Sequence, residues 1–392
     1  MTQTNVSISE WQERSGNELE FQLKQVRAPS YGRYLENFEP GETFFHPRGV
    51  TFNSSFVQDF ATTFMESCPL FLNREYPLSL DFKAQPVPPL MVLATTLSLG
   101  VQNISEKAIA HLGYYNVRFP RVTYVGETLR AMSRVVDKKQ KEPGKPGIVH
   151  VQTIGVNEND QVCVQYERKV LVPSGGEMES ITETNGEFAK KIWNWSESVS
   201  ISLPTSSTQK LEGWTSGKTF FEDFDKDQVI LHENGRTITD EHIPWTYRLG
   251  NTHPLHFDSV YSHAQSAPMG GDPVVYGGLV FSWIAGLASR DTTENMVWDF
   301  GYNEGYHTQP LRSGDTLYAI SRVLDKSELG VSGAGEVCFQ LIGLKNISSR
   351  QALEKYGNEI FIKENIKKKN GLEKIPAKVF EIERKVCIRK RK

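Results

Sequence analysis

The sequence predicts an α+β fold built from one unit written twice, each unit an antiparallel sheet wrapped on a buried helix. Three observations predict it. Residues 126–138 (GETLRAMSRVVDK) return 188 positions later as residues 314–326 (GDTLYAISRVLDK). Each copy carries one helix-length apolar stretch with little polar face, at 90–100 and at 279–289, which suits a helix covered on all sides. Each copy then runs into segments that alternate apolar and polar residues at period two, the pattern of half-buried strands.

Taken in order, residues 1–30 form a polar N-terminal extension. The first unit spans 31–173 and the second 221–392, with a Ser-, Thr-, Gly- and Glu-rich linker at 174–220. The 188-residue offset also pairs Arg48 with Arg236, Thr51 with Thr239, Gly113-Tyr114 with Gly301-Tyr302, and Gln152, Ile154 and Gly155 with Gln340, Ile342 and Gly343. So many matches at one spacing mean a duplicated domain of ordinary size rather than a short-period solenoid. Each copy opens with a short strand (49–52; 236–238) and a first helix (56–65; 241–247), followed by the apolar helix. Val162, Val164, Tyr166, Val170 and Val172 alternate with Gln165, Glu167 and Lys169, and Phe380, Ile382, Val386 and Ile388 repeat the pattern. Here Glu167-Arg168-Lys169-Val170 matches Glu383-Arg384-Lys385-Val386 at an offset of 216, so the second copy holds an insertion near 347–376. Its Lys-rich ends suggest an exposed excursion. The linker aromatics Ile192-Trp193-Asn194-Trp195 are expected to dock on one of the units. One buried helix with a run of antiparallel strands is the hot-dog arrangement. A tandem double hot-dog joins its two sheets edge to edge within one chain.

The bulk numbers bound the function. Net charge is −3 over 392 residues, which makes no case for nucleic acid or a membrane surface. The one basic run, 384–392, reads as a solvated tail. Cys68, Cys163, Cys338 and Cys387 are far apart, so neither disulfides nor structural zinc is expected. No basic-then-apolar leader and no bilayer-length apolar run is present, so a cytoplasmic location is expected. The sequence is compatible with a homodimer of such double units.

The chemistry concentrates in Gly250-Asn251-Thr252-His253-Pro254-Leu255-His256-Phe257-Asp258. Pro254 is expected to open a helix over 255–267, with His256 in its first turn. Against the first copy at an offset of 185, Asn251 faces Glu66, His253 faces Cys68 and His256 faces Phe71; at 188, His307 faces Phe119. Phenylalanine serves the structure at two of these places, so an imidazole there points to a task phenylalanine cannot do. His256 is the candidate general acid–base, Asn251 a water-orienting amide, and His307 a contact to substrate or water. Plainer roles are a turn-capping histidine, a turn asparagine and a sheet-edge histidine. His253 and His256 are too few ligands for a metal site, and Asp258 reads as a helix-start carboxylate. Tyr276-Gly277-Gly278 opens the second apolar helix, where free N–H groups can hold an oxyanion; the first copy has Pro88-Pro89 there. Arg248 and Arg312 are candidates for a carboxylate, or surface ion pairs. The second copy is the candidate active half, and the first a scaffold or a half-pocket.

Gly250, Pro254, Leu255 and His256 fit the G-D-x-N-P-L-H motif of the MaoC-like (R)-specific enoyl-CoA hydratases, which the chain resembles from about residue 31 onward. Asn251 stands where that family has its catalytic aspartate, and His253 where it has asparagine. An amide cannot take a proton as a carboxylate does. The two-copy layout, the N-T-x-x-x-H form, Tyr276-Gly277-Gly278 and His307-Thr308-x-Pro310 are similar to a narrower group, the mesaconyl-CoA hydratases (β-methylmalyl-CoA dehydratases). The resemblance implies reversible hydration of an enoyl-CoA thioester. His256 would be the acid–base, with Asn251 and His307 as its helpers. Tyr276, Gly277, Gly278, His253, Arg248 and Arg312 would lie around the substrate. No cofactor is implied, since CoA belongs to the substrate. An acyl-CoA thioesterase, a hydratase of another enoyl-CoA and a non-catalytic acyl-CoA binder are the competing readings.

Overall fold

A computed structural model describes residues 31–175, 186–197, 213–266, 268–329 and 333–391; the N-terminal extension lies outside them. The first copy contains β1 (Thr43–Phe45), β2 (Val50–Thr51), α1 (Ser54–Thr63), α2 (Pro69–Leu72), α3 (Glu75–Ser79) and α4 (Pro89–Leu99), then a π-helical turn (Val101–Ser105). Four strands follow: β3 (Ala110–Arg118), β4 (Thr128–Lys139), β5 (Gly147–Val156) and β6 (Val162–Val172). After α5 (Gly186–Ile192) the plan repeats as β7 (Val229–Leu231), β8 (Arg236–Thr237), α6 (His242–Arg248), a 3-10 turn (Pro254–His256), α7 (Ser259–His263) and α8 (Gly277–Thr292). The second set of strands is β9 (Met296–His307), β10 (Thr316–Glu328), β11 (Ala334–Lys345) and β12 (Lys378–Arg389), with α9 (Ser349–Tyr356) and α10 (Glu364–Lys369) inserted before the last.

All the strands join one antiparallel sheet ordered β1-β4-β5-β6-β3-β9-β12-β11-β10-β7, with β2 on β4 and β8 on β10. Read outward from the middle, the two halves carry the same strands in the same order. The seam is the β3–β9 pair, with Tyr114 opposite Gly305 and Val117 opposite Tyr302. The expected double hot-dog, joined edge to edge, is therefore the fold. Every residue of α4 is buried, and Pro89 starts it where a missing N–H costs nothing. Gly155 lets β5 approach α4, for a Cβ there would lie 2.5 Å from the Thr96 hydroxyl. Its repeat partner Gly343 does the same for Ile284 on α8, at 2.1 Å.

The other face of each half has its own cover. Met132, Ile154 and Val156 pack under α5 with Ile192, Trp193 and Trp195. The linker aromatics thus dock on the first copy. The repeat-equivalent Ile320, Ile342 and Leu344 pack under Ala352, Ile360, Phe361 and Ile375 of the insertion. The insertion is thus not the exposed excursion its lysines suggest. Its apolar residues close the same patch that the linker closes in the first copy. The basic run is likewise no solvated tail through residue 389: it is the end of β12, with Arg384 and Arg389 buried. Arg384 pairs with Asp299 at 2.8 Å, and Arg389 donates to the Tyr76 hydroxyl at 2.7 Å. Period-two alternation places Arg384 inward with Ile382 and Val386; Arg389 lies past the register shift at Cys387/Ile388.

Helix α8 presses on the end of α1. A Cβ at Gly286 would lie 1.6 Å from the Phe64 carbonyl oxygen, so only glycine fits. Gly286→Ala is expected to lower unfolding stability by about 1–3 kcal/mol, the range for overpacking, read from the denaturant midpoint.

Candidate active site

The expected helix over 255–267 is broken in two, which moves His256. Pro254–His256 is a single 3-10 turn, and Phe257 (φ −151) leaves helical geometry. Asp258 then caps α7, its Oδ1 accepting from the Tyr261 N–H at 2.9 Å; this is the helix-start role read from the sequence. The side chain of Asp258 competes for backbone donors and so restarts the helix. His256 is therefore the last residue of a short turn, and no long helix dipole acts on it. What orients it is one hydrogen bond. Its Nδ1 lies 2.8 Å from the Val274 carbonyl oxygen, which can only accept. The proton is thus on Nδ1, and Nε2 is left as the basic nitrogen.

Nε2 opens on a cavity of about 340 Å³. From the second copy come Asn251, His253, His256, Tyr276, Gly277 and His307. From the first come Val101 and Ser105 of the π-helical turn, together with His111, Tyr114 and Arg168. The first copy is thus a half-pocket, and the cavity straddles the seam of the sheet. Asn251 Oδ1 accepts from the His253 N–H at 2.9 Å, while its Nδ2 is buried with no partner. The amide nitrogen is the free end. His253 is fully used: Nδ1 accepts from the Leu255 N–H at 3.2 Å and Nε2 donates to the Ala108 carbonyl at 3.3 Å. It caps the turn and carries a wall of the cavity. Among the described residues no group of three or more metal-ligating side chains comes together.

Helix α8 starts at Gly277 with no side-chain cap; the Leu279 and Val280 N–H groups donate to the Tyr276 carbonyl, and those of Gly277 and Gly278 are left for a bound oxygen. Gly277 itself lines the cavity. A Cβ on it would lie 2.6 Å from His307 Nε2, and one on Gly278 would lie 2.8 Å from the Tyr276 ring. A side chain on Gly278 has no room beside Tyr276. Tyr276 is held by its hydroxyl donating to the Ala94 carbonyl at 2.9 Å. His307 ends β9, 3.2 Å from the Tyr114 hydroxyl and against Phe380. The two arginines expected near the substrate are elsewhere. Arg248 pairs with Asp59 at 3.2 Å and lies over Trp245, on the outside. Arg312 binds the carbonyls of Pro268, Met269, Gly270 and Asp272, bracing the loop whose Pro268 and Met269 line the cavity mouth. Lys374, brought in by the insertion, also lines it.

Comparison with known proteins identifies the family. The family model for mesaconyl-CoA hydratase matches residues 12–350. The chain belongs to the mesaconyl-CoA hydratase family. It is 30% identical to a β-methylmalyl-CoA dehydratase of Chloroflexus aurantiacus over 75% of this chain and 83% of that one. It is 29% identical to a mesaconyl-CoA hydratase of Cereibacter sphaeroides over 80% and 90%. A solved MaoC domain protein from Chloroflexus aurantiacus superposes with a TM-score of 0.78 at 26% identity, covering 93% of this chain and all of that one. A Mycobacterium tuberculosis protein with a double hotdog fold gives 0.67 at 16% identity, over 91% and 98%, and bears on the fold alone.

Within this mesaconyl-CoA hydratase family member, the corresponding place in the first copy is filled. Glu66 Oε1 accepts from the Cys68 N–H at 2.9 Å, just as Asn251 accepts from His253. Cys68 and Phe71 are wholly buried. The capping bond is common to both copies, while the groups beside it differ. Sequence reasoning missed His111, Tyr114 and Arg168. The signal was available in the repeat: His111 stands at the 188-residue counterpart of Asp299.

Burial sets the protonation of the site. It lowers His256 to about 3, with the neighbouring His253 adding to the effect, and lowers His253 and His307 to about 4. All three are neutral at pH 7. His46, buried behind Gly100, is also lowered to about 4 by burial. Such histidines are protonated in the unfolded chain below pH 6.5 but not in the folded one. Stability is therefore lost as pH falls from about 6.5 towards 4, by about 1.4 kcal/mol per pH unit for each histidine. Urea midpoints measured between pH 7 and pH 5 are expected to fall accordingly, and His46→Gln to flatten the slope; an unchanged midpoint would contradict the buried neutral histidines.

Proposed function

We propose that the chain is a hydro-lyase that adds water to mesaconyl-CoA (2-methylfumaryl-CoA) to give β-methylmalyl-CoA, and that it also runs the reverse dehydration. The observation that carries this reading is His256. Its Nδ1 is committed to a carbonyl, and its basic Nε2 opens on the cavity beside an uncapped helix start. The named relatives supply the substrate. No resident cofactor is needed: one imidazole, one water and a set of N–H donors suffice.

In the hydration direction, Asn251 Nδ2 donates to the oxygen of a water and holds it against His256. Nε2 takes a proton from that water as its oxygen bonds to the β carbon. The C=C electron pair moves onto the thioester oxygen as an enolate, which the Gly277 and Gly278 N–H groups stabilise. The Nε2–H then returns the proton to the α carbon. Hydroxyl and hydrogen are added to the same face, and one base serves both steps. This arrangement removes the need for a carboxylate at position 251. His307 lies against Gly277 and adds a polar group where the thioester oxygen would sit. The imidazole is neutral at pH 7 and so is free to accept the proton.

The test is a spectrophotometric assay with mesaconyl-CoA and crotonyl-CoA, with a thiol reagent in parallel. Loss of enoyl absorbance without thiol release is expected with mesaconyl-CoA; thiol release would make the chain a thioesterase. His256→Ala is expected to lower kcat about 10²- to 10⁴-fold with thermal stability unchanged. His307→Phe, which copies the first repeat, should lower kcat about tenfold or more in a folded protein, a modest share of what one acid–base group supplies. Phe71→Ala should instead cost about 3–5 kcal/mol of stability. With His256 held near 3, kcat/KM should stay level between pH 8 and pH 5. An acid limb near pH 6.5 would contradict the buried base.

A further inference from the structure

Arg168 is one of the largest fully buried side chains of the protein, 1% exposed, and it lines the same cavity as His256. Its hydrogen bonds are few and long: Nη1 to the Ser105 hydroxyl and Nη2 to the Gly100 carbonyl, both 3.4 Å, while Nε has no partner. No carboxylate forms an ion pair with it among the described residues, although every other buried arginine or lysine in this sheet has a close partner. A guanidinium left buried without a counter-charge is strongly unfavourable.

The second copy shows what this position holds when the space is closed. Arg384, the 216-residue counterpart of Arg168, meets Asp299 through Nη2 at 2.8 Å and Nε at 3.0 Å. Glu66 adds its negative charge to the same guanidinium. In the open half both acids are gone. Asp299 is matched by His111, and Glu66 by Asn251. His111 is half-buried, with its Nε2 shielded from solvent and unpartnered, and its ring lies 4.5 Å from that of Tyr114 and 6.0 Å from that of His307. The duplication has thus kept the arginine and removed its internal counter-ions, only where there is a cavity.

We infer that Arg168, with His111 beside it, receives the free carboxylate of a dicarboxylic acyl group, and so selects such thioesters over monocarboxylic ones. A carboxylate entering this wall replaces Asp299 electrostatically and meets guanidinium N–H groups in fork geometry. This deepens the function proposed above and rests on it for the acyl-CoA class. It also supplants Arg248 and Arg312 as the carboxylate contact.

The test uses two saturated ligands that cannot be hydrated, methylsuccinyl-CoA and butyryl-CoA, so its outcome is read separately from turnover. Calorimetry on the wild-type chain should show methylsuccinyl-CoA binding at least tenfold more tightly. Arg168→Gln should weaken it about 100-fold or more, as for truncating one partner of a buried charge pair, and change butyryl-CoA by less than about threefold, within the range of an altered but uncharged wall. Equal affinities in the wild type, or equal losses on both ligands, would overturn the assignment. His111→Asp copies the second repeat and keeps a test in hand where Arg168→Gln does not fold. It should raise the melting temperature by supplying the missing counter-ion, and abolish the preference for the dicarboxylate. A variant that keeps the preference would equally overturn it.

Discussion

The structure depends on the antiparallel pairing of β3 with β9. That one seam merges two sheets into one, sets α4 beside α8, and leaves a space along the junction that neither copy could enclose alone. His256 and Gly277 reach it from the second copy, and Tyr114, His111 and Arg168 from the first. The covalent duplication keeps the two contributors in fixed proportion. It also frees each to change independently, which a dimer of identical units cannot do.

That freedom has been used in one direction. The turn at residue 66 and the turn at residue 251 share their backbone capping, and the outer patches Met132-Ile154-Val156 and Ile320-Ile342-Leu344 are covered alike. What differs are the buried groups at the junction. In one half Phe71, Cys68 and an Arg384–Asp299 pair fill and neutralise the space. In the other, histidines and an unpaired arginine line a cavity. Desolvation keeps those histidines neutral, so the cavity combines neutral imidazoles with a fixed positive charge on its lining. The cost of burying such groups falls on stability at low pH, not on the geometry of the sheet.

Much of the fold was legible in the sequence because it rests on periodicity and repetition. The duplication at 126–138 and 314–326, the two apolar helices and the alternating strands each map onto an observed element. His256, Asn251 and His307 were legible because the repeat exposes them as departures from a structural residue. The errors have local causes. The helix expected over 255–267 breaks because Asp258 caps a new turn. The insertion reads as exposed because its lysines outnumber the few apolar residues, Ile360 and Phe361 among them, that close the sheet. Arg248 and Arg312 were read by type and nearness in sequence, whereas the arginine in the cavity lies in the other copy, about ninety residues before the histidine motif. Only tertiary contact joins them.

The most direct test of one working half and one filled half is the binding stoichiometry. Methylsuccinyl-CoA titrated into the wild-type protein by calorimetry should saturate at one ligand per chain. Two ligands per chain would mean that the place of Phe71 and Arg384 is a second functional site, and would contradict the asymmetry on which the active site has been built.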